Sequence, residues 1–128
     1  MPRDPADRST LRLESRRFAT KCEAQVNMVE RADTLREVSR LAMMPLPYVL
    51  TGDYAARDGQ TSVRLAAEDR ARHLITEQIS NFVRAEPIAR DKLKRAVIDN
   101  WTYLTGPLSH LRTWANSKLI AAEQTIKF

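Results

Sequence analysis

The stretch ADRSTLRLESRRFATKCEAQVNMVERADTLREVSRLAMM, residues 6–44, contains neither glycine nor proline, and its reading decides the fold class. Its apolar residues Leu11, Phe18, Cys22, Val26, Val29, Ala32, Leu35, Val38 and Ala42 recur mostly at steps of three and four, the period of one helix face. Asp7 or Ser9 offers a side-chain oxygen to cap a first turn there. The run stops at Met43-Met44-Pro45-Leu46-Pro47, because proline lacks a backbone donor and pushes the residue before it out of the helical region. The pattern predicts one long helix over the whole stretch.

Beyond that helix, Tyr48 to Ser62 holds Gly52 and the turn signal Asp58-Gly59, which reads as the main loop with room for a short helical turn. A second helix follows, with Val63, Ala67, Leu74, Ile75, Ile79, Phe82 and Val83 on its apolar face and Glu86-Pro87 at its end. Pro87 suits the first position of a third helix, whose Leu93, Ala96, Val97, Trp101 and Leu104 share a face until Gly106-Pro107. A fourth uses Leu108, Leu111, Ala115, Leu119, Ala122 and Ile126. The short breaks between the last three predict antiparallel neighbours. The expected fold is therefore all-α, a bundle of about four helices with a long, basic N-terminal helical arm. It divides into residues 1–44 (arm and first bundle helix), 45–62 (loop) and 63–128 (three helices), all one domain.

Composition agrees with one such domain. The chain has 128 residues, 43% of them hydrophobic, enough for a core without disulfides or metal. With three glycines it lacks the turn chemistry that repeated hairpins need. Its single cysteine, Cys22, cannot bridge internally, and with two histidines it does not make a Cys/His zinc site of the usual kind. Inside the apolar stripe it reads as a small core residue. No run is long and apolar enough to span a bilayer, and Met1-Pro2-Arg3-Asp4-Pro5 lacks a signal peptide's apolar core, so a soluble intracellular product is expected.

Helix length points to a subunit contact. A first helix of about 35 residues spans on the order of 50 Å, against about 30 Å for helices of about 20 residues. Its overhang carries Leu11, Leu13 and Phe18, an apolar patch suited to a second subunit. A bend, or unravelled first turns that let the arm fold back, fits the same residues.

The net charge of +5 favours polyanionic partners, and most of the cations are arginines, whose planar fork suits phosphate. In the arm, Arg8, Arg12 and Arg16 stand four apart, with Arg17 and Lys21 forming a neighbouring row, and Arg3 extends the set toward the terminus. Such rows can track a phosphate backbone. A solvated face partly neutralised by Asp4, Asp7 and Glu14 fits them equally. Arg84, Arg90, Lys92, Lys94 and Arg95 form the densest basic run, opposed locally only by Glu86 and Asp91. Cations at a helix start oppose its dipole, which suggests an external anion; an ordinary exposed face is the alternative.

Chemistry beyond charge is sparse. His73 has Glu77 four residues on, His110 falls on another helix, and Glu68-Asp69 and Asp99 show no repeated ligand spacing, so neither catalytic nor metal residues are assigned. Trp101, Trp114 and Tyr103 stand at helical spacings suited to core or interface packing more than to base stacking. No glycine-rich phosphate loop, dinucleotide fingerprint or nucleophile elbow is present, and no cofactor is implied.

A basic helical arm ahead of a compact helical bundle, on a short chain ending in a helix, resembles in layout the major coat proteins of filamentous archaeal viruses. The resemblance implies paired helical subunits that wrap linear double-stranded DNA in an A-like form and carry no catalytic residues. It also implies partners in further copies of the chain and a second homologous coat subunit, and location in the virion after a soluble phase in the host cytoplasm. The family has no short motif to align, so no residue is transferred; the arm cations come from spacing and charge alone. The acids within the arm depart from what a DNA clamp would be expected to carry, and pairing with arginines of a neighbouring subunit would absorb them.

Three other readings compete. A DNA-binding regulator needs a recognition helix after a tight turn, which Glu86-Pro87 suits poorly. A small helical-bundle enzyme acting on an anionic small molecule needs a deep polar cavity. An adaptor binding only protein would lack affinity for nucleic acid.

Overall fold

The computed structural model describes residues 21–44 and 54–126. Five α-helices and two short 3-10 turns account for almost all of them, and no strand occurs among the described residues. The helices are α1 (described over residues 21–30), α2 (Leu35–Met43), α3 (Tyr54–Arg84), α4 (Pro87–Asn100) and α5 (Leu111–Ile126). The all-α expectation is met.

The first helix is not one rod. It breaks at residues 31–34, and α1 and α2 form a helical hairpin. Thr34 leaves helical geometry at φ −132° and ψ 151°, and its Oγ1 accepts a hydrogen bond from the Glu37 amide at 3.2 Å. Thr34-Leu35-Arg36-Glu37 thus has the spacing of a capping box, a helix start written inside the glycine- and proline-free run. At the other side of the break, Arg70 of α3 donates from Nε to the Ala32 carbonyl at 2.8 Å, satisfying an oxygen that the interrupted helix leaves without a partner. The apolar stripe survives the break: Val29, Ala32, Leu35 and Val38 are all buried.

The second departure concerns residues 45–62, expected to be loop. The backbone is helical from Tyr54, so α3 runs through Asp58-Gly59 and, at 31 residues, is the longest described helix. A glycine inside a helix costs about 1 kcal/mol relative to alanine. That is too little to interrupt a helix with no proline between Pro47 and Pro87, whose downstream turns are pinned by Ala67, Ala71, Leu74, Ile75 and Phe82 in the core.

Helix α3 is the axis of the bundle, with α2 and α5 packed along it and α4 folded back beside its C-terminal part. The core joins Leu35, Val38 and Leu41 of α2 to Ala71 and Ile75 of α3, to Val97 and Trp101, and to Leu111, Ala115 and Leu119 of α5. Each large aliphatic side chain buried there contributes roughly 1.5–3 kcal/mol. Between α4 and α5, 3-10 turns at Trp101–Tyr103 and Gly106–Leu108 redirect the chain. Gly106 takes φ +55°, and Arg112 fastens the link by donating from Nε to the Leu104 carbonyl at 2.9 Å. Cys22 is buried, and burial pushes its thiol pKa up, which suits a packing residue.

Candidate nucleic-acid interface

The densest basic run lies where α3 turns into α4. Two residues, Ala85 and Glu86, separate the helices, and the Ala89 amide bonds back to the Glu86 carbonyl at 2.9 Å. Pro87, whose ring fixes φ and whose missing donor costs nothing in a first turn, begins α4. Val97 is the buried residue of α4 and Leu93 packs partly against the core, which orients the helix. The helical period then assigns opposite sides to the five cations.

Arg90 and Lys94 fall toward the bundle and are half-buried. Lys94 Nζ lies 2.8 Å from Glu123 Oε1 of α5, so its charge is matched within the fold. The Nε of Arg90 is covered and has no hydrogen-bond acceptor among the described residues. Arg84, Lys92 and Arg95 are exposed, and no ion pair among the described residues engages them. Asp91 precedes Arg95 by one helical turn without reaching ion-pair distance. The five-residue cluster therefore resolves into three outward cations and two turned toward the bundle.

Sequence reading passed over the residue that most distinguishes this surface. Ile88 is 93% exposed, far more than any other large apolar side chain described. It stands on the outer row of α4 with Lys92 four and Arg95 seven residues on. The available signal was register: Ile88 falls outside the Leu93, Val97, Trp101 row that faces the core. Ala96, expected on that apolar face, is exposed.

Of the arm, Lys21 is described and is an exposed residue of α1. Arg3, Arg8, Arg12, Arg16 and Arg17, and the interface residues Leu11, Leu13 and Phe18, lie outside the described residues. The aromatic residues divide: Trp101 is buried in the core, Trp114 packs partly against it, and Tyr103 is 38% exposed.

Away from that surface, an open cleft of about 460 Å³ is lined by Glu30, Ala66, Asp69, Arg70, Arg72, His73 and Thr76. Its cations have structural tasks. Arg70 turns to the Ala32 carbonyl, and the Arg72 guanidinium lies 5.9 Å from the ring centre of Trp114. His73 lines the cleft, whereas His110, in the turn before α5, lies 3.3 Å from Glu68 of α3, so the two histidines do not combine. Among the described residues no group of histidine, cysteine and carboxylate side chains is placed to hold a metal, and no helix is long and apolar enough to cross a membrane.

No protein-family model, curated protein or solved structure matches this chain.

Proposed function

We propose that this chain is a structural nucleic-acid-packaging protein, which binds double-stranded DNA through its phosphates without sequence readout and, with further copies, wraps it into a helical nucleoprotein filament such as a virion. The observation that carries the reading is the exposed trio Arg84, Lys92 and Arg95, left without carboxylate partners among the described residues while neighbouring Lys94 is matched by Glu123. Unmatched cations on one surface attract a polyanion and release its counterions on binding. In this reading the arginine rows of the N-terminal arm add a second phosphate contact, and Leu11, Leu13 and Phe18 meet a neighbouring subunit, either a copy or a homologous partner.

The chemistry is neutralisation, with no bond made or broken. An enzyme acting on a small anion gains little support from the open cleft beside His73, because Arg70 and Arg72 are both engaged by the bundle.

The test is binding of the purified chain to random-sequence duplex DNA over a range of salt concentrations, with electron micrographs of the mixtures. Tight, salt-steep, sequence-independent binding that yields regular filaments is expected. Absence of binding at low salt overturns the proposal, and preference for one short sequence replaces it with a regulator.

A further inference from the structure

We propose that Ile88 is a wedge that enters the base stack of a bound duplex and kinks it, while Arg84, Lys92 and Arg95 hold phosphates on either side. The inference rests on the DNA-binding reading above and specifies its mode of contact. An isoleucine that is 93% exposed leaves almost its whole apolar surface in water, and the core offers no reason for it: Ile88 lies opposite the buried Val97 on α4. Its surroundings on the outer row are Lys92 and Arg95, with Arg84 across the two-residue turn. Asp91, three residues on, and Glu86, two before, are also exposed, so cations outnumber acids around Ile88 without enclosing it. A projecting aliphatic side chain in a surface of net positive charge is the composition of proteins that insert an apolar residue between base steps from the minor groove.

Local stiffness adds to the case. Pro87 fixes the backbone immediately before Ile88, and branching at Cβ restricts the χ1 choices of the side chain. The side chain is therefore preorganised, and little conformational freedom is lost when it is gripped by bases. The cations supply what insertion requires, since phosphate contacts offset the cost of unstacking and a bent duplex brings more backbone to the protein.

The same features argue against the other surfaces an exposed isoleucine might serve. Lys92, Arg95 and Asp99 continue the row that Ile88 begins, so no apolar stripe accompanies it along that face. A protein partner needs a patch and a bilayer needs several inserted side chains, whereas a base step accepts one.

The experiment uses the full chain and a random-sequence duplex of about 25 base pairs, short against the persistence length of DNA and labelled at its two ends for energy transfer. The wild-type chain is expected to shorten the end-to-end distance. Ile88→Ala, checked for unchanged helicity, is expected to keep affinity to within about threefold but lose most of the shortening, and Ile88→Leu to restore it. Equal shortening by Ile88→Ala overturns the wedge while leaving packaging intact. No binding by the wild-type chain overturns both. Sedimentation with phosphatidylserine vesicles that depends on Ile88, beside an Ile88-independent bend, also overturns the wedge and assigns the residue to a membrane surface.

Discussion

Gln25 of α1 donates from Nε2 to the carbonyl oxygen of Leu41 in α2, 2.7 Å away, with its side chain buried. In one continuous helix those residues would stand about 24 Å apart. The hydrogen bond therefore exists only because the chain doubles back at residues 31–34, and it fastens the two arms of the hairpin together. The Met44 amide also donates to the Leu41 oxygen, at 3.3 Å, so replacing Gln25 by leucine removes the shorter of two bonds and is expected to cost about 0.5–1.5 kcal/mol. Urea unfolding of Gln25→Leu and the wild type measures the difference; equal midpoints would show that the bond contributes nothing.

That break explains how far the sequence could be read. The burial of Val29, Ala32, Leu35 and Val38 followed from spacing, because a stripe at steps of three buries the same residues whether the helix is straight or folded at a capped joint. The joint itself was written in Thr34 and Glu37 but outweighed by the absence of glycine and proline. At Asp58-Gly59 the reverse happened, since a local turn signal was overridden by the helix that α3 makes across it. The basic cluster was legible as composition. Its division was not, because the partner that engages Lys94 is Glu123, on another helix.

The acid side of stability should carry a small contribution from Glu37. Hydrogen bonds from Arg40, one of them 3.0 Å from Nε to Oε2, hold the Glu37 carboxyl below the usual glutamate range, with the charges of Arg40 and Arg36 adding to the effect. A depressed folded-state pKa means stability that is present above the ordinary value and lost as pH falls through the lowered one. The pair is exposed and solvent-screened, so the effect on unfolding is expected to be slight. Carboxyl NMR titration is the sensitive probe: Glu37 should titrate below the ordinary range in the wild type and move up in Arg40→Gln. A titration unchanged by that substitution would remove Arg40 as the cause.

At the α4 to α5 link, Gly106 is the described residue with positive φ, +55°. A Cβ there would meet Met43 Sδ at 3.6 Å, an ordinary contact, so the objection to a side chain is conformational and not steric crowding. Gly106→Ala is expected to lower stability by about 1–2 kcal/mol through left-handed strain. Gly106→Asn should cost less, because asparagine tolerates that region better. Thermal unfolding of the two variants decides the matter, and equal losses would point to the Met43 contact instead.

Lys92 and Lys94 stand two residues apart on α4 and make the sharpest test of the proposed phosphate surface. Lys92 is exposed and has no ion pair among the described residues, whereas Lys94 Nζ is 2.8 Å from Glu123 Oε1. A cation that binds phosphate releases a counterion from duplex DNA, so each one removed should reduce the slope of log affinity against log salt by about 0.9. Lys92→Gln is therefore expected to weaken binding across all sequences and flatten the slope by about that amount. Lys94→Gln should change the slope far less, because Glu123 already neutralises the ammonium. Glu123→Gln then becomes informative: freeing Lys94 adds a cation near the surface, so binding should strengthen and the slope steepen. Equal slopes for Lys92→Gln and Lys94→Gln would mean that the duplex does not lie along the outer row of α4.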